Sequence, residues 1–151
     1  MTIIARVAMI QESIVADVPP EAVWRVFSRL ETWPAWNPIF SRAETVSGRL
    51  WEVGSTFRFS VKPWWLTMNV KATVVESDPP RQIVWTGRGP GVFGQHSFTF
   101  EPDDGGTRIT TSEVFGGPLQ WTMGLYAPQK RLRSLFIQWL QALKAEAERR
   151  A

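Results

Sequence analysis

From residue 39 to residue 115 the chain repeatedly alternates apolar with polar side chains, and a single long amphipathic stripe follows. This combination constrains the fold more than any motif in the chain. Period-two alternation makes strands with one apolar face each, and short turns between successive strands make an antiparallel meander. One long amphipathic helix cannot cover both faces of a sheet of six or seven strands. The sheet must therefore curl around the helix and leave space near its ends.

The strand signals are Ile39 to Thr45, then Phe57-Phe59-Val61 and Met68-Val70-Ala72-Val74, then Ile83-Val84-Trp85. His96, Phe98 and Phe100 follow, and Ile109, Thr111, Glu113 and Phe115 share one face of the last strand. Turn chemistry falls at Ser47-Gly48, at Asp78-Pro79-Pro80, and at a four-residue hairpin loop, Asp103 to Gly106. Before the meander, Ile3 to Ala16 reads as a first strand, and Asp17-Val18-Pro19-Pro20-Glu21 opens a helix. Val23, Val26, Phe27 and Leu30 carry its apolar face, with Arg25 and Arg29 turned away. The prolines of Thr32 to Pro38 end it. Gly116-Gly117-Pro118 stops the sheet, and Pro128 either starts the last helix or kinks an earlier turn containing Trp121, Met123 and Leu125. The stripe of the last helix is Leu132, Leu135/Phe136, Trp139/Leu140, Leu143 and Ala147. Lys130, Arg131, Arg133, Gln138, Gln141 and Glu146 are expected off that stripe. The expected architecture is α+β: a curved antiparallel sheet of six or seven strands around a long C-terminal helix, with a short helical pair after strand 1. A chain of 151 residues has room for one such domain, residues 1–151.

Composition narrows the function classes. Nine Trp and nine Phe against one Tyr call for a rigid core, a lined pocket, or both. The net charge of +3 comes from thirteen Arg and four Lys scattered among fourteen acids, with no basic stripe, so nucleic-acid binding is not expected. The absence of cysteine excludes disulfide and thiolate chemistry, and with one His no metal site or cofactor is expected. No segment has the length of a membrane span or the form of a signal peptide, which makes a cytoplasmic protein, monomer or homodimer, the expectation. Gly89-Pro90-Gly91-Val92-Phe93-Gly94 matches GxGxxG in form only, because a strand rather than a helix follows it.

Several segments together resemble the START-related SRPBCC superfamily, in particular its polyketide cyclase/dehydrase-like branch. They are Ala16 to Trp24, Trp33-Pro34-Ala35-Trp36-Asn37-Pro38, Asp78-Pro79-Pro80-Arg81 with Val84-Trp85, and Gly94-Gln95-His96-Ser97-Phe98. Gly105-Gly106-Thr107-Arg108, Glu113-Val114-Phe115-Gly116-Gly117 and the terminal Leu140 to Glu148 complete the likeness, which spans nearly the whole chain. The resemblance implies the helix-grip fold and an internal cavity. It does not imply one chemistry, since such proteins include lipid and hormone binders, aromatase/cyclases, hydrolase-like enzymes and chaperone activators.

The hairpin loop predicts the register beyond it. Pairing Pro102 with Thr107 sets Phe100 opposite Ile109, Phe98 opposite Thr111 and His96 opposite Glu113. Parity puts all six on the apolar face, so the only His stands across from an acid inside the grip. A carboxylate and an imidazole in an apolar site make a candidate acid/base pair, a structural hydrogen bond, or a polar anchor for a ligand. Alternate turns of the meander gather at one end, which collects Pro63-Trp64-Trp65-Leu66, Gly87 to Gly94 with Phe93, and Gly116 to Trp121. That end is the expected mouth. The ligand-binding candidates are therefore Trp65, Phe93 and Trp121 at the rim, with Trp36, Phe59, Trp85 and Phe98 beside His96 and Glu113 within. The expected partner is a hydrophobic, ring-containing small molecule. A cyclase/dehydratase using Glu113 and His96 is the alternative, and a chaperone-activating or protein-interaction module is a third.

Overall fold

The computed structural model describes residues 8–62, 67–89, 92–117 and 129–151. Strand β1 (Ala8–Ala16) leads into helix α1 (Pro20–Phe27), a 3-10 turn (Leu30–Thr32) and a short helix α2 (Trp33–Trp36). Six strands follow: β2 (Phe40–Ser47), β3 (Thr56–Val61), β4 (Met68–Asp78), β5 (Gln82–Gly89), β6 (Val92–Asp103) and β7 (Gly106–Gly116). Helix α3 (Gln129–Arg149) closes the described chain. All seven strands form one antiparallel sheet in the order β1-β7-β6-β5-β4-β3-β2. This is the helix-grip arrangement, at the upper of the two strand counts.

The helix stripe is buried as its spacing requires, from Leu132 at 5% exposure to Leu143 at 0%. A Leu side chain so covered contributes roughly 1.5–3 kcal/mol. Polar ties fix the helix against the β1 edge. Arg133 pairs with Glu12 at 2.6 Å, Lys144 donates to the Val15 carbonyl at 2.8 Å, and the Asp17 amide donates to Glu148 at 2.7 Å. Register shifts in β2 against β3 and in β4 against β5, between Val74 and Glu76, bend the sheet into its curve.

Several local expectations change. Helix α1 stops at Phe27, well before the proline segment, and Pro34 sits in the first turn of α2, where its missing N–H costs nothing. The β6–β7 loop is two residues rather than four. Asp103 and Gly106 are themselves paired, and Asp104 and Gly105 take φ of 47° and 82°, both positive as a type I′ turn requires. The shorter loop leaves the register unchanged. Glu146 is buried at 7% exposure instead of lying off the stripe, because Arg149 and Arg150 fold over it at 2.7 and 2.6 Å and neutralise it. The start of the expected first strand, Ile3 to Val7, lies outside the described residues, as does Pro128.

At one end the interior is packed with rings. Phe27 touches Trp33, Trp51, Phe98 and Phe100 at centroid distances of 4.8–5.3 Å, mostly tilted or edge-on as ring quadrupoles favour. Trp51 enters this cluster with φ of 72°, a strained value for a bulky residue, and its indole N–H is satisfied by the Ser28 carbonyl at 2.8 Å. Toward the other end the packing opens.

Candidate functional site

A cavity of about 220 Å³ lies between α3 and the concave face of β3 to β7. Its apolar walls come from Phe59, Val61 and Val70 on the sheet and from Leu132, Leu135 and Phe136 on α3. Trp85 and Trp139 separate it from the ring-packed end. Glu113 and His96 stand in the wall, and Lys71 and Arg88 also border the space.

His96 and Glu113 are paired across β6 and β7 as the hairpin register predicts, with Nδ1 2.5 Å from Oε2. The imidazole is 5% exposed and the carboxylate side chain 16%. Nε2 of the same ring lies 2.6 Å from the Thr111 hydroxyl, so both ring nitrogens are occupied. The hydroxyl serves either protonation state: it donates to Nε2 of the neutral ring and accepts from the imidazolium. Aromatic faces hold the ring on several sides. Phe98 is parallel at 5.0 Å, Trp85 is tilted at 4.8 Å and Phe136 lies at 5.0 Å. His96 therefore has no free nitrogen to offer a ligand and acts on Glu113. The remaining carboxylate oxygen, Oε1, reaches over Gly94, where a β-carbon would stand only 2.6 Å away. The absence of a side chain at Gly94 is what gives the carboxylate its place.

Of the other candidates, Phe59, Trp85 and Phe93 line the cavity, and Phe93 is 47% exposed at its edge with its ring over Gly116. Phe98 is fully buried behind His96 and does not line the space. Trp36 is a correction. Helix α2 turns it away from the cavity into a separate cleft beside α1, and its indole donates to Thr32 at 3.1 Å. Trp65, with its neighbours Pro63, Trp64 and Leu66, lies outside the described residues, as do Trp121 and the segment from Pro118. Thr111 and Gly94 were not among the candidates. Thr111 was legible on parity, since it shares the inward face with Glu113 and is diagonal to His96. No group of three or more potential metal-ligating side chains occurs among the described residues, and none of their helices is long and apolar enough to cross a membrane.

A curved sheet gripping one long helix over a cavity defines the helix-grip class of fold. Residues 8–148 match the polyketide cyclase/dehydrase and lipid transport family, and the chain belongs to it. Among solved structures, the ZhuI aromatase/cyclase of Streptomyces sp. R1128 superposes with a TM-score of 0.77 at 17% identity, over 96% of each chain. The major latex-like protein 151 of Panax ginseng gives 0.78 at 11% identity, over 93% of this chain and 97% of that one. A Thermus thermophilus protein gives 0.79 at 14%, over 95% and 99%. At these identities the likeness is one of fold. No curated protein sequence matches the chain.

Proposed function

We propose that this chain binds a small hydrophobic molecule of one or two rings in the cavity beneath α3, with the half-buried Glu113 as its polar anchor. The observation that carries the reading is a carboxylate held by His96 in the wall of a largely apolar space. Apolar walls with a few fixed polar groups are the usual build of a small-molecule site. The size follows from volume: an apolar cavity of about 150 Å³ takes benzene, and this one is about 220 Å³. A carboxylate oxygen accepts hydrogen bonds, so the fitting ligand carries a hydroxyl or amine on its ring.

The Thr111–His96–Glu113 chain supports a second reading, an acid/base enzyme of the cyclase/dehydratase kind. In it Glu113 takes or returns a proton at the ligand while His96 orients the carboxylate and moderates its charge. The aromatase/cyclase among the structural neighbours favours keeping this reading open. A protein-interaction role is less favoured, since it gives no use to a hollow interior.

Glu113→Gln separates the two. A panel of phenols, naphthols and aromatic amines is first screened by intrinsic fluorescence, with Trp85 and Trp139 in the cavity wall as reporters. For a binder, the substitution changes affinity by about 1 kcal/mol, the net worth of a hydrogen bond. For an enzyme it removes roughly 10²–10⁴-fold in turnover at nearly constant affinity. Turnover undiminished in the variant would exclude Glu113 as the base. A panel in which nothing binds would overturn the ligand reading itself.

A further inference from the structure

The cleft that receives Trp36 is a second concave site, and it shares no lining residue with the cavity beneath α3. Its floor is apolar and covered, made by Val26 of α1 at 6% exposure and Ala147 of α3 at 1%. Trp36 forms one wall, and three guanidinium groups, Arg25, Arg29 and Arg150, stand around the opening of a space of about 180 Å³.

The charge of this rim is only partly answered within the protein, by Glu146 on Arg150. Arg150 is tied to Glu146, which Arg149 also shares, so one carboxylate faces two arginines. Arg25 and Arg29 are in no ion pair among the described residues, and the remaining residues of the chain include no Asp or Glu to supply one. Nearby Glu31 hydrogen-bonds with Thr45, and Glu148 is held by Lys144 and the Asp17 amide. Arg25 lies in the last turn of α1 and Arg29 just beyond its end, and the two like charges repel across the same hollow. Repulsion of this kind around an apolar hollow is relieved by an anion, and guanidinium groups match a phosphate or carboxylate in two-point geometry.

The geometry points to a site for a small oxyanion carried on a short apolar or aromatic body, the anion between Arg25, Arg29 and Arg150 and the body against Trp36. Phosphate and carboxylate share the recognising chemistry, and the cavity beneath α3 plays no part in it.

Phenyl phosphate, benzoate and phenol titrated into the ¹⁵N-labelled full chain test it. Phenyl phosphate or benzoate should produce saturable shifts at the α1–α2 amides and the Trp36 indole N–H, weakening as salt is raised. Neutral phenol should not move those signals, whatever it does at β6 and β7. Arg25→Gln with Arg29→Gln should weaken anion binding by about tenfold or more, as loss of charge-assisted hydrogen bonds implies. The β6–β7 amides of that variant report whether its fold is intact, and Arg133→Gln, whose partner is Glu12, should bind as the parent does. Absence of saturable α1–α2 shifts at anion concentrations on the order of tens of millimolar overturns the site. Undiminished binding by the double variant overturns it equally.

Discussion

Gly94 is where the candidate site is most sensitive to a single atom. A methyl group there would meet Glu113 Oε1 at 2.6 Å, with the Phe115 ring at 3.6 Å behind it. Gly94→Ala must therefore displace the carboxylate from its place. The expected result is loss of the His96–Glu113 contact, read as a change in the imidazole ¹⁵N shifts, with ligand affinity falling at least as far as in Glu113→Gln. Unchanged imidazole shifts in a folded variant would show that the carboxylate does not need this space. How far these residues could be read from sequence depended on what fixed them. The His96–Glu113 pairing was legible because the turn signal at Asp103 to Gly106 sets Pro102 opposite Thr107 whether the loop is four residues or two, and strand parity then carries the register inward. Trp36 was not legible, because the side it takes depends on how α2 is seated, and nothing in Trp-Pro-Ala-Trp encodes that. Glu146 read as a surface residue for a similar reason. Its burial comes from two arginines beyond it in the chain, and a helical stripe does not show such a cover.

At the scale of elements, two carboxylates help hold the end of α3: Glu146 within the helix end itself, and Glu148 also to the Asp17 amide after β1. Glu146 is held below the ordinary glutamate value of 4.5 by hydrogen bonds from Arg149 and Arg150, and Glu148 by those from Lys144 and the Asp17 amide. A lowered carboxyl pKa in the folded state means that the unfolded chain binds the proton more readily. Stability from these groups is complete above about pH 4.5 and is lost as pH falls through the lower folded values. Thermal midpoints should thus drop on acidification below that point. In Glu148→Gln the drop should be smaller, with a lower midpoint already at neutral pH. An unchanged acid profile in this variant would show that the tie between α3 and the end of β1 contributes nothing. The strands and α3 were legible because their apolar periods are regular. The bulge at Val75 and the early end of α1 were not, since both are settled by tertiary curvature rather than by local preference.

Taken whole, the molecule divides its aromatic residues between two tasks. Rings around Phe27 and Trp51 fill one end, while Trp85 and Trp139 form the partition against the cavity. Binding should then be removable without loss of fold. Val70 projects into the hollow from β4, and Val70→Phe adds a ring where there is space for one. Ligand affinity should fall sharply while the thermal midpoint stays level or rises, as in cavity-filling substitutions. A large drop in midpoint would mean that the space is not free to accept the ring.

The partition also makes the molecule mechanically unequal along its length. Close-packed rings resist compression, whereas a void is volume that unfolding eliminates. Hydrostatic pressure would act chiefly on the hollow end, bringing α3 and the cavity face of the sheet together before the ring cluster yields. A guest in the cavity would stiffen that end, so occupancy sets the compressibility of the fold as well as its contents.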